Sequence, residues 1–468
     1  MKKEKKNALL KGIGIILLIA VLLTWVTPSA SFTEGVFSKG DYSRVGIFDI
    51  STYSIMGFSY FAAVFGYLFV LAGFSKFLNS LKAFKKLTAG IAKRVEKKPF
   101  IFVIVSMVIY AILASIIKET LVLFLFVPVT VAIMSELKQT KIATFTSSVG
   151  GILLGSFAST YNGTITAILK SAFTIKSFNS ELIAIVALMV VGAALLGILT
   201  YFAGKNKDEE TIENLLAEEV KKNDLKKVST LPLIIVGVLL SVITILAFID
   251  WSNSFGVSFF ADLHTSINES TIGGVTVFQF LFGQSYVAFG EWTLYMLSGV
   301  LVITTFVLAI IYKVKANEVV ESYIEGFKAY AKPILAVFLI YVILETGYFF
   351  PTLGIVYNWI LDVFGDNAFT WTIISMIASV FNVSYEYVVN PLSGLFLYVG
   401  KDAQAVVALA TQLGYGLVSF VAPSSMLLAF GLTTLDINYK KYLKFIWKFF
   451  ATMTVISILV LIILSHIA

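Results

Sequence analysis

Polar residues interrupt four apolar segments of the chain, and these interruptions carry the side chains that could bind a ligand. Two interruptions are short, at residues 118–120 and 382–386, and two lie in long runs rich in small residues, at residues 159–164 and 414–425. Hydroxyl groups both donate and accept hydrogen bonds, and glycine lets the backbone itself approach a ligand. We therefore expect the binding chemistry of the protein to be concentrated at these four places.

The candidate substrate-binding residues all belong to these interruptions. They are Lys118, Glu119, Thr120, Ser159, Thr160, Asn162, Gly163, Thr164, Asn382, Ser384, Gly414, Gly416, Ser419, Pro423, Ser424 and Ser425. Free backbone N–H groups at the start of a half-helix bind anions, whereas free carbonyls at its end bind cations. Backbone amides near residues 162–164 and 419–425 are therefore predicted to hold a carboxylate. Lys118 and Glu119 are predicted to handle charge or the coupling ion.

The composition places the chain in a membrane. Of its 468 residues, 58% are hydrophobic and 13% are charged, and the mean hydropathy is +0.90. This is more apolar surface than one soluble core buries, and apolar runs near the roughly 20 residues that span a bilayer recur along the whole sequence. The predicted fold class is all-α, a polytopic transmembrane helical bundle in the cell membrane with the lipid bilayer as a partner.

Several function classes are disfavoured by what the sequence lacks. It has no cysteine, and its two histidines, His264 and His466, are far apart, so no metal site is expected. It also has no Gly-x-x-x-x-Gly-Lys-Ser/Thr loop for ATP and no visible nucleophile–base pair. We predict no enzyme activity, no cofactor and no nucleic-acid partner. The net charge of +7 comes from lysine clusters between the apolar runs.

These lysine clusters predict the topology. Lysines precede the apolar run at residues 12–26, which places the N-terminus in the cytoplasm by the positive-inside rule. A cleaved signal peptide is the rival prediction for this run, because Ser29 and Ser31 are small. The apolar pattern further predicts one span over residues 53–74. It also predicts a cytoplasmic amphipathic stretch that ends at Lys332-Pro333.

The apolar region 99–137 is open to two interpretations. It consists of two runs separated by Lys118-Glu119-Thr120. Two full spans would place this trio in outside water, whereas a re-entrant hairpin would hold it near the midplane. A charged pair at the midplane is costly and therefore usually functional. The role of Glu386 in the second half depends on the same question.

The order of segments indicates an internal repeat. The pattern of span, span, surface arm, broken hairpin, broken long helix and span occurs twice, with opposite predicted directions of entry. The predicted parts are an N-terminal membrane repeat (1–204), a cytoplasmic linker with a short helix (205–230), a connecting span with an external loop (231–290) and a C-terminal membrane repeat (291–468). Paired interrupted segments in two inverted halves point to the binding site of a transporter.

One motif carries a resemblance to a known family. Residues 414–425 read Gly-Tyr-Gly-Leu-Val-Ser-Phe-Val-Ala-Pro-Ser-Ser. This resembles the Gly-Asp-Gly-x-x-Asn-x-x-x-Pro-Thr-Ser motif of the YfcC-type carriers, which are related to the anaerobic four-carbon dicarboxylate carriers of the ion transporter superfamily. Residues 439–445 and 321–329 resemble further stretches of that family, and the resemblance runs over most of the chain. Glu119 and Asn162 fall where the family has an acidic pair and Asn-Pro.

The departures from the family fall on ligand-facing positions. Tyr415 replaces an Asp, Ser419 an Asn, Gly163 a Pro and Lys118 one acidic tip residue. The resemblance nevertheless implies two inverted repeats, each with a re-entrant hairpin and an interrupted helix, around a central site that moves as a unit.

The function that follows is a secondary active, ion-coupled, elevator-type transporter of a small organic solute, such as an amino acid or a carboxylate. Sodium or protons are the expected coupling ions, with a sodium site near the hairpin tips, and a homodimer is a further expectation. The alternative functions are a passive channel for small solutes and a proton-coupled antiporter or exchanger of amino acids.

Overall fold

The computed structural model describes residues 7–33, 36–172, 179–205, 209–217, 225, 227–283, 285–392, 396, 399–400 and 403–467. Within these ranges, eight helices are long and apolar enough to cross a membrane. They occur along the chain from its first helix to its last. The protein is an all-α, multi-pass membrane protein built as a helical bundle, and the predicted fold class is confirmed.

The first part of the chain alternates long helices with shorter, interrupted ones. In order it contains α1 (Ala8–Val26), the antiparallel strands β1 (Ala30–Thr33) and β2 (Val36–Lys39), α2 (Ile47–Tyr60), α3 (Ala62–Ser80), α4 (Lys82–Val95), α5 (Pro99–Ile116), a 3₁₀ helix (Thr120–Leu125), α6 (Val127–Glu136), α7 (Lys141–Phe145), a π-helical turn (Thr146–Gly150), α8 (Gly151–Phe157), α9 (Gly163–Ala172) and α10 (Asn179–Gly204). Local chemistry explains where these helices begin. Pro99 opens α5, where its missing N–H leaves no hydrogen bond unmade.

The second part follows the same alternation. It contains α11 (Leu231–Phe248), α12 (Trp251–Phe255), α13 (Phe259–Glu269), α14 (Val277–Phe282), α15 (Leu294–Tyr312), α16 (Ala316–Phe349), α17 (Leu353–Phe364), α18 (Ala368–Phe381), α19 (Tyr385–Val389), a 3₁₀ turn (Asn390–Leu392), α20 (Gln404–Ser419), α21 (Met426–Thr434) and α22 (Tyr439–Ile467). Asn367 caps α18 by accepting a hydrogen bond of 3.1 Å from Thr370 N.

Helices α2, α3 and α16 pack together and are called the frame. Glycines bring α3 and α16 into close contact. A Cβ on Gly326 would lie 2.2 Å from Ala72 O, and a Cβ on Gly73 would lie 2.2 Å from the ring of Tyr323. Because lipid is as apolar as leucine, helices in a bilayer associate largely through such close packing. Larger side chains at these glycines would push the two helices apart.

Two further groups of helices each combine a helical hairpin with an interrupted helix. The first unit is α5–α9 and the second unit is α18–α21. In the first unit α8 lies against α5, where a Cβ on Gly155 would be 2.1 Å from Ala111 O. In the second unit α20 lies against α18, where a Cβ on Gly414 would be 2.8 Å from Thr372 O. The two units therefore use the same kind of contact between their interrupted helix and their hairpin.

The region 99–137 turns back on itself as a helical hairpin. Its arms are joined by a hydrogen bond of 3.0 Å between the hydroxyls of Tyr110 and Thr130. At the tip, Lys118 N donates to Phe248 O at 2.9 Å, at the end of α11. The tip is therefore packed against the end of a helix that is long enough to span a membrane.

Two predicted boundaries are wrong. The single span expected over residues 53–74 is formed by two helices, α2 and α3, which meet at Phe61. The amphipathic stretch expected to end at Lys332-Pro333 continues, because Pro333 lies inside α16, a helix of 34 residues. Contacts with α3 before the proline and with α2 after it hold the helix together, and they outweigh the hydrogen bond that proline cannot make.

The predicted linker helix is wrong for residues 209–217, which contain no helix, whereas Leu225, further along the linker, is helical. Ile212 N donates to Gln139 O and Lys141 N donates to Glu210 O, both at 2.8 Å. Backbone groups bonded to the turn between α6 and α7 cannot also form helical hydrogen bonds. Asn214 Nδ2 donates to Asn79 Oδ1 at 2.8 Å, so the segment ties this turn to the end of α3. Much of the predicted helix lies outside the described residues.

Candidate functional site

In the first unit, the hairpin tip is hydrogen-bonded to the break in the interrupted helix. Asn162 makes the central contacts: its Nδ2 donates to Ile117 O at 2.5 Å, and its Oδ1 accepts from Ile165 N at 3.2 Å. The first bond satisfies a carbonyl left free at the end of α5, and the second caps the start of α9. Thr164 Oγ1 adds a bond of 3.2 Å to Lys118 O. The structure therefore brings together the predicted site residues Lys118, Asn162 and Thr164.

Ser159 and Thr160 also turn toward the hairpin. Thr160 N and Tyr161 N donate to Ser115 O at 3.0 and 3.1 Å, and the hydroxyls of Thr160 and Ser115 are 3.1 Å apart. Ser159 Oγ lies 3.5 Å from the same carbonyl. The polar groups of this break thus connect the end of α8 to α5 by hydrogen bonds.

The second unit has a corresponding junction. Ser424, in the break between α20 and α21, donates its hydroxyl to Val380 O at 2.5 Å, in the last turn of α18. Ser375 Oγ donates to Thr411 O at 2.5 Å and links α18 directly to α20. In both units, a side chain of the break therefore binds a carbonyl at the end of the first arm of the hairpin.

The other predicted residues of the second unit have more local contacts. Ser419 donates to Tyr415 O at 2.9 Å within its own helix, and Asn382 donates to Ala378 O at 2.7 Å. The hydroxyl of Ser425 forms no hydrogen bond within the described ranges, and Ser384 precedes α19 without capping it through its side chain.

Pro423 contacts α1 rather than the other break residues. A Cβ on Gly12 would lie 3.0 Å from the Cγ of Pro423. The first helix is thus packed into the bundle beside the second break.

The two units meet at buried contacts between their interrupted helices. Gly416 of α20 lies against Phe157 at the end of α8, where an added Cβ would be 2.4 Å from the Phe157 Cα. Gln412 Nε2 donates to Ser159 O at 2.8 Å, while its Oε1 is buried without a hydrogen-bond partner among the described residues. Gln412 was not predicted, because the residue stands outside the polar interruptions.

Lys118 and Glu119 point in different directions from the first tip. Lys118 Nζ donates to Gly290 O at 2.7 Å and lies within electrostatic range of Asp250 and Glu291. Asp250 also packs on Gly163, where an added Cβ would be 2.7 Å from its Oδ2. The start of α9, where a ligand carboxylate is predicted, is therefore faced by a carboxylate of the chain itself.

Glu119 faces the frame instead. It accepts a bond of 3.3 Å from Leu121 N, at the start of the 3₁₀ helix that Thr120 opens. It lies within electrostatic range of the hydroxyls of Tyr67, Tyr341 and Tyr415. Tyrosines of the frame and of the second unit therefore interact electrostatically with this carboxylate.

These tyrosines belong to an aromatic cluster that the sequence did not single out. The cluster is defined as Phe61, Tyr67, Tyr341, Tyr385, Tyr387 and Tyr415. Ring centroids are 4.2 Å apart for Phe61 and Tyr341, 6.1 Å for Phe61 and Tyr387, and 5.9 Å for Tyr385 and Tyr415. The only sequence signal was Tyr415, which departs from the family motif, because tyrosine and phenylalanine are abundant throughout the chain.

A cavity of about 300 Å³ adjoins the aromatic cluster. It lies between α16, α17, β1 and the second hairpin, and its walls include Asn382 and Tyr387. Tyr387 therefore belongs to both the cavity and the cluster. Among the described residues, no group of three or more Asp, Glu or His side chains could hold a metal ion.

Comparison with known proteins gives a weak likeness. No protein-family model matches the chain, and no curated protein matches its sequence. Among solved structures, it is similar to the YdaH transporter of Alcanivorax borkumensis, described as having an unusual topology. The identity is 10%, the match covers 99% of this chain and 97% of that chain, and the TM-score is 0.42. Values this low assign neither a family nor a function, so the function is inferred from the chain itself.

Proposed function

We propose that the protein is a secondary active transporter that carries a small organic solute across the membrane by alternating access. The observation that carries this proposal is the matching junction in the two units. Asn162 binds Ile117 O in the first, and Ser424 binds Val380 O in the second. Each junction joins the non-helical backbone of a break to the end of a hairpin arm.

Breaks in a membrane helix leave backbone groups without their helical hydrogen bonds, and this free-energy cost favours a functional explanation. In a bilayer, irregular backbone is tolerated only where protein buries it or where it lines a water-filled cavity. Interrupted helices at corresponding positions of two inverted halves are the usual site of substrate and coupling-ion binding in secondary transporters. The two breaks and two hairpins of this chain match that pattern, and the sequence predicts opposite directions of entry for the two halves.

The packing supports movement of the units against the frame. The frame is held by close packing of Gly326 on Ala72 O and of Gly73 on the ring of Tyr323, whereas the first tip touches it through contacts such as the hydrogen bond of 3.2 Å from the Tyr67 side chain to Val122 O. Side-chain contacts of this kind can be exchanged during a rigid-body shift. The proposed mechanism is therefore of the elevator type, with sodium or a proton as the coupling ion.

Solute counterflow into liposomes tests this function. The reconstituted protein is loaded inside with an unlabelled solute, and entry of the labelled solute is followed for amino acids, dicarboxylates, monocarboxylates and nucleobases, with and without sodium. A carrier accumulates label transiently above equilibrium, because internal solute drives exchange. Non-saturating flux without this overshoot, accompanied by ion conductance, would identify a channel instead.

A further inference from the structure

The linker segment, residues 209–217, contacts the first unit and the frame at neighbouring positions of the chain. Ile212 N donates to Gln139 O, in the turn between α6 and α7, at 2.8 Å. Asn214 Nδ2 donates to Asn79 Oδ1, at the end of α3, also at 2.8 Å. An extended chain covers at most about 3.6 Å per residue, so the backbone at 212 and 214 cannot separate by more than about 7 Å. The segment therefore has little slack between the unit and the frame.

This lack of slack restricts how the first unit can move. When packed helical elements slide past one another, a common step is one helical turn, about 5.4 Å. A step of this size between the turn at Gln139 and the end of α3 exceeds what the chain between Ile212 and Asn214 can accommodate. The contacts at one end of the linker segment must therefore break whenever the unit shifts against the frame.

The end attached to the unit has the larger number of polar contacts. A second backbone bond there runs from Lys141 N to Glu210 O at 2.8 Å. The carboxylate of Glu210 also pairs with Lys141 at 3.1 Å and with Lys441 of α22 at 3.6 Å. Thr140 and Thr211 face each other across an isolated antiparallel bridge. Backbone bonds and ion pairs thus act together at the unit end.

The end attached to the frame is held more weakly. Beside the bond between Asn79 and Asn214, its other contact is a bond of 3.4 Å from Lys76 Nζ to Leu216 O, which is long for a hydrogen bond. Lys76 also pairs with Glu325 of α16 at 3.0 Å, so its ammonium group keeps a frame partner when the segment leaves. The frame end is therefore the one that releases more easily.

A polar cavity beside the frame end lowers the cost of release further. The cavity has a volume of about 310 Å³ and lies between the linker segment, α4 and α6. Its walls include Asn79, Asn214, Ser135 and Glu136. A cavity that is polar and has this volume holds water, and water can replace the lost bond between the two asparagines.

We propose that the linker segment is a latch between the first unit and the frame. In this conformation the latch is closed. At each transport movement its frame end, at Asn79 and Asn214, releases, while its unit end, at Gln139 and Glu210, stays attached and travels with the unit. The proposal rests on the transport function proposed above and adds a contact that holds the unit in one of its positions.

Two cysteine pairs that lock the two ends separately test the latch. Asn79→Cys with Asn214→Cys fixes the frame end, and Thr140→Cys with Thr211→Cys fixes the unit end. The chain has no cysteine of its own. Solute counterflow in liposomes is measured before treatment with a short, cleavable thiol cross-linker, after treatment and after cleavage. We expect cross-linking 79 to 214 to abolish exchange and cleavage to restore it, whereas cross-linking 140 to 211 leaves exchange unchanged.

The design separates locking from damage to the fold. Each cross-linked sample is compared with the same protein after cleavage, so a loss of exchange that cleavage reverses is not due to misfolding. Lys76→Cys with Leu216→Cys locks the frame end at its other contact and should behave like the pair at 79 and 214. Asn214→Cys alone, treated with the same reagent, is the control for modification of the linker segment and should keep its exchange.

The outcomes distinguish the latch from the transport function. Exchange that continues with 79 fixed to 214 would overturn the latch while supporting a carrier. Loss of exchange on fixing 140 to 211 would overturn the assignment of the unit end as the part that stays attached. If the wild-type protein exchanges none of the solutes, the transport function is wrong and the latch falls with it.

Discussion

Asn162 shows how one side chain can support a break in a membrane helix. Its side-chain amide donates a hydrogen bond to Ile117 O at the end of α5 and accepts one from Ile165 N at the start of α9. A buried donor or acceptor left without a partner carries a substantial penalty, and still more so where no water can replace it. The position of Asn162 in the polar interruption was predicted from sequence, but its partners were not.

Replacing Asn162 with alanine should destabilise the folded protein. The change leaves Ile117 O and Ile165 N without this partner, and each lost bond to a buried group costs about 1–3 kcal/mol. We expect a lower thermal midpoint in detergent for Asn162→Ala. Ser425→Ala is the control, because its hydroxyl forms no hydrogen bond within the described ranges, and its midpoint should match wild type. Equal midpoints for all three proteins would contradict the assigned role of Asn162.

Side-chain direction is what sequence reasoning could not supply at this scale. Lys118 and Glu119 are neighbours, yet one faces Gly290 and the other faces the tyrosines. A turn of non-helical backbone sends adjacent side chains to different surfaces, and no periodic pattern describes it. The aromatic cluster was missed for a different reason: its members come from distant elements and resemble the many lipid-facing aromatic residues.

The linker segment is the element whose structure differed most from expectation. Residues 209–217 contain no helix, turn at residues 215–216 and connect the turn between α6 and α7 to the end of α3. Glu210 anchors the segment through Lys141 at 3.1 Å and Lys441 at 3.6 Å. Alternating charge in the sequence predicted a solvated helix, but the backbone bonds to Gln139 and Lys141 hold residues 210–212 in a non-helical conformation.

The attachment of this segment should depend on pH. The hydrogen bond and charge of Lys141, aided by Lys441, hold the pKa of Glu210 below its usual range. A carboxylate with a depressed pKa contributes stability above its unfolded pKa, about 4.3, and loses it as pH falls through the folded value. Hydrogen exchange of residues 209–217, corrected for intrinsic rates, should therefore accelerate below about pH 4.3 in wild type.

Glu210→Gln serves as the control for this experiment. The variant has no carboxylate to protonate, so its corrected exchange should already be faster at neutral pH and should change less on acidification. The same pH response in wild type and in Glu210→Gln would show that Glu210 does not anchor the segment.

Element boundaries were predictable where apolar periodicity was uninterrupted. Helices α1 and α5 follow the predicted runs closely, and all four breaks fall at or beside the predicted polar residues. The predictions of helix boundaries near Phe61 and Pro333 are wrong because tertiary contacts, rather than apolar periodicity, determine where these helices end. Phe61 packs on Tyr341, and the contacts of α16 with α2 and α3 keep α16 continuous at Pro333.

At the scale of the whole molecule, composition and segment order predicted the architecture better than any single residue. An apolar chain with regularly spaced runs has few alternatives to a helical bundle, because every backbone group in lipid must be hydrogen-bonded internally. The division into a frame and two units was not predictable, since it depends on which helix faces meet. Glycine positions such as Gly73 and Gly155 become informative only when their neighbours are known.

The central claim is that the units move against the frame during transport. The chain contains no cysteine, so thiol pairs can be introduced without background. Tyr67→Cys with Val122→Cys joins the frame to the first hairpin tip, where the two residues share a hydrogen bond of 3.2 Å. Phe69→Cys with Phe327→Cys joins two frame helices whose rings are 5.0 Å apart, and serves as the control pair.

Counterflow measured after treatment with a short, cleavable thiol cross-linker is the most direct test. We predict that cross-linking 67 to 122 stops solute exchange, that cleavage restores it, and that cross-linking 69 to 327 leaves exchange intact. Undiminished exchange with the tip fixed to the frame would contradict the account, because the proposed carrier cannot expose its site alternately without that movement.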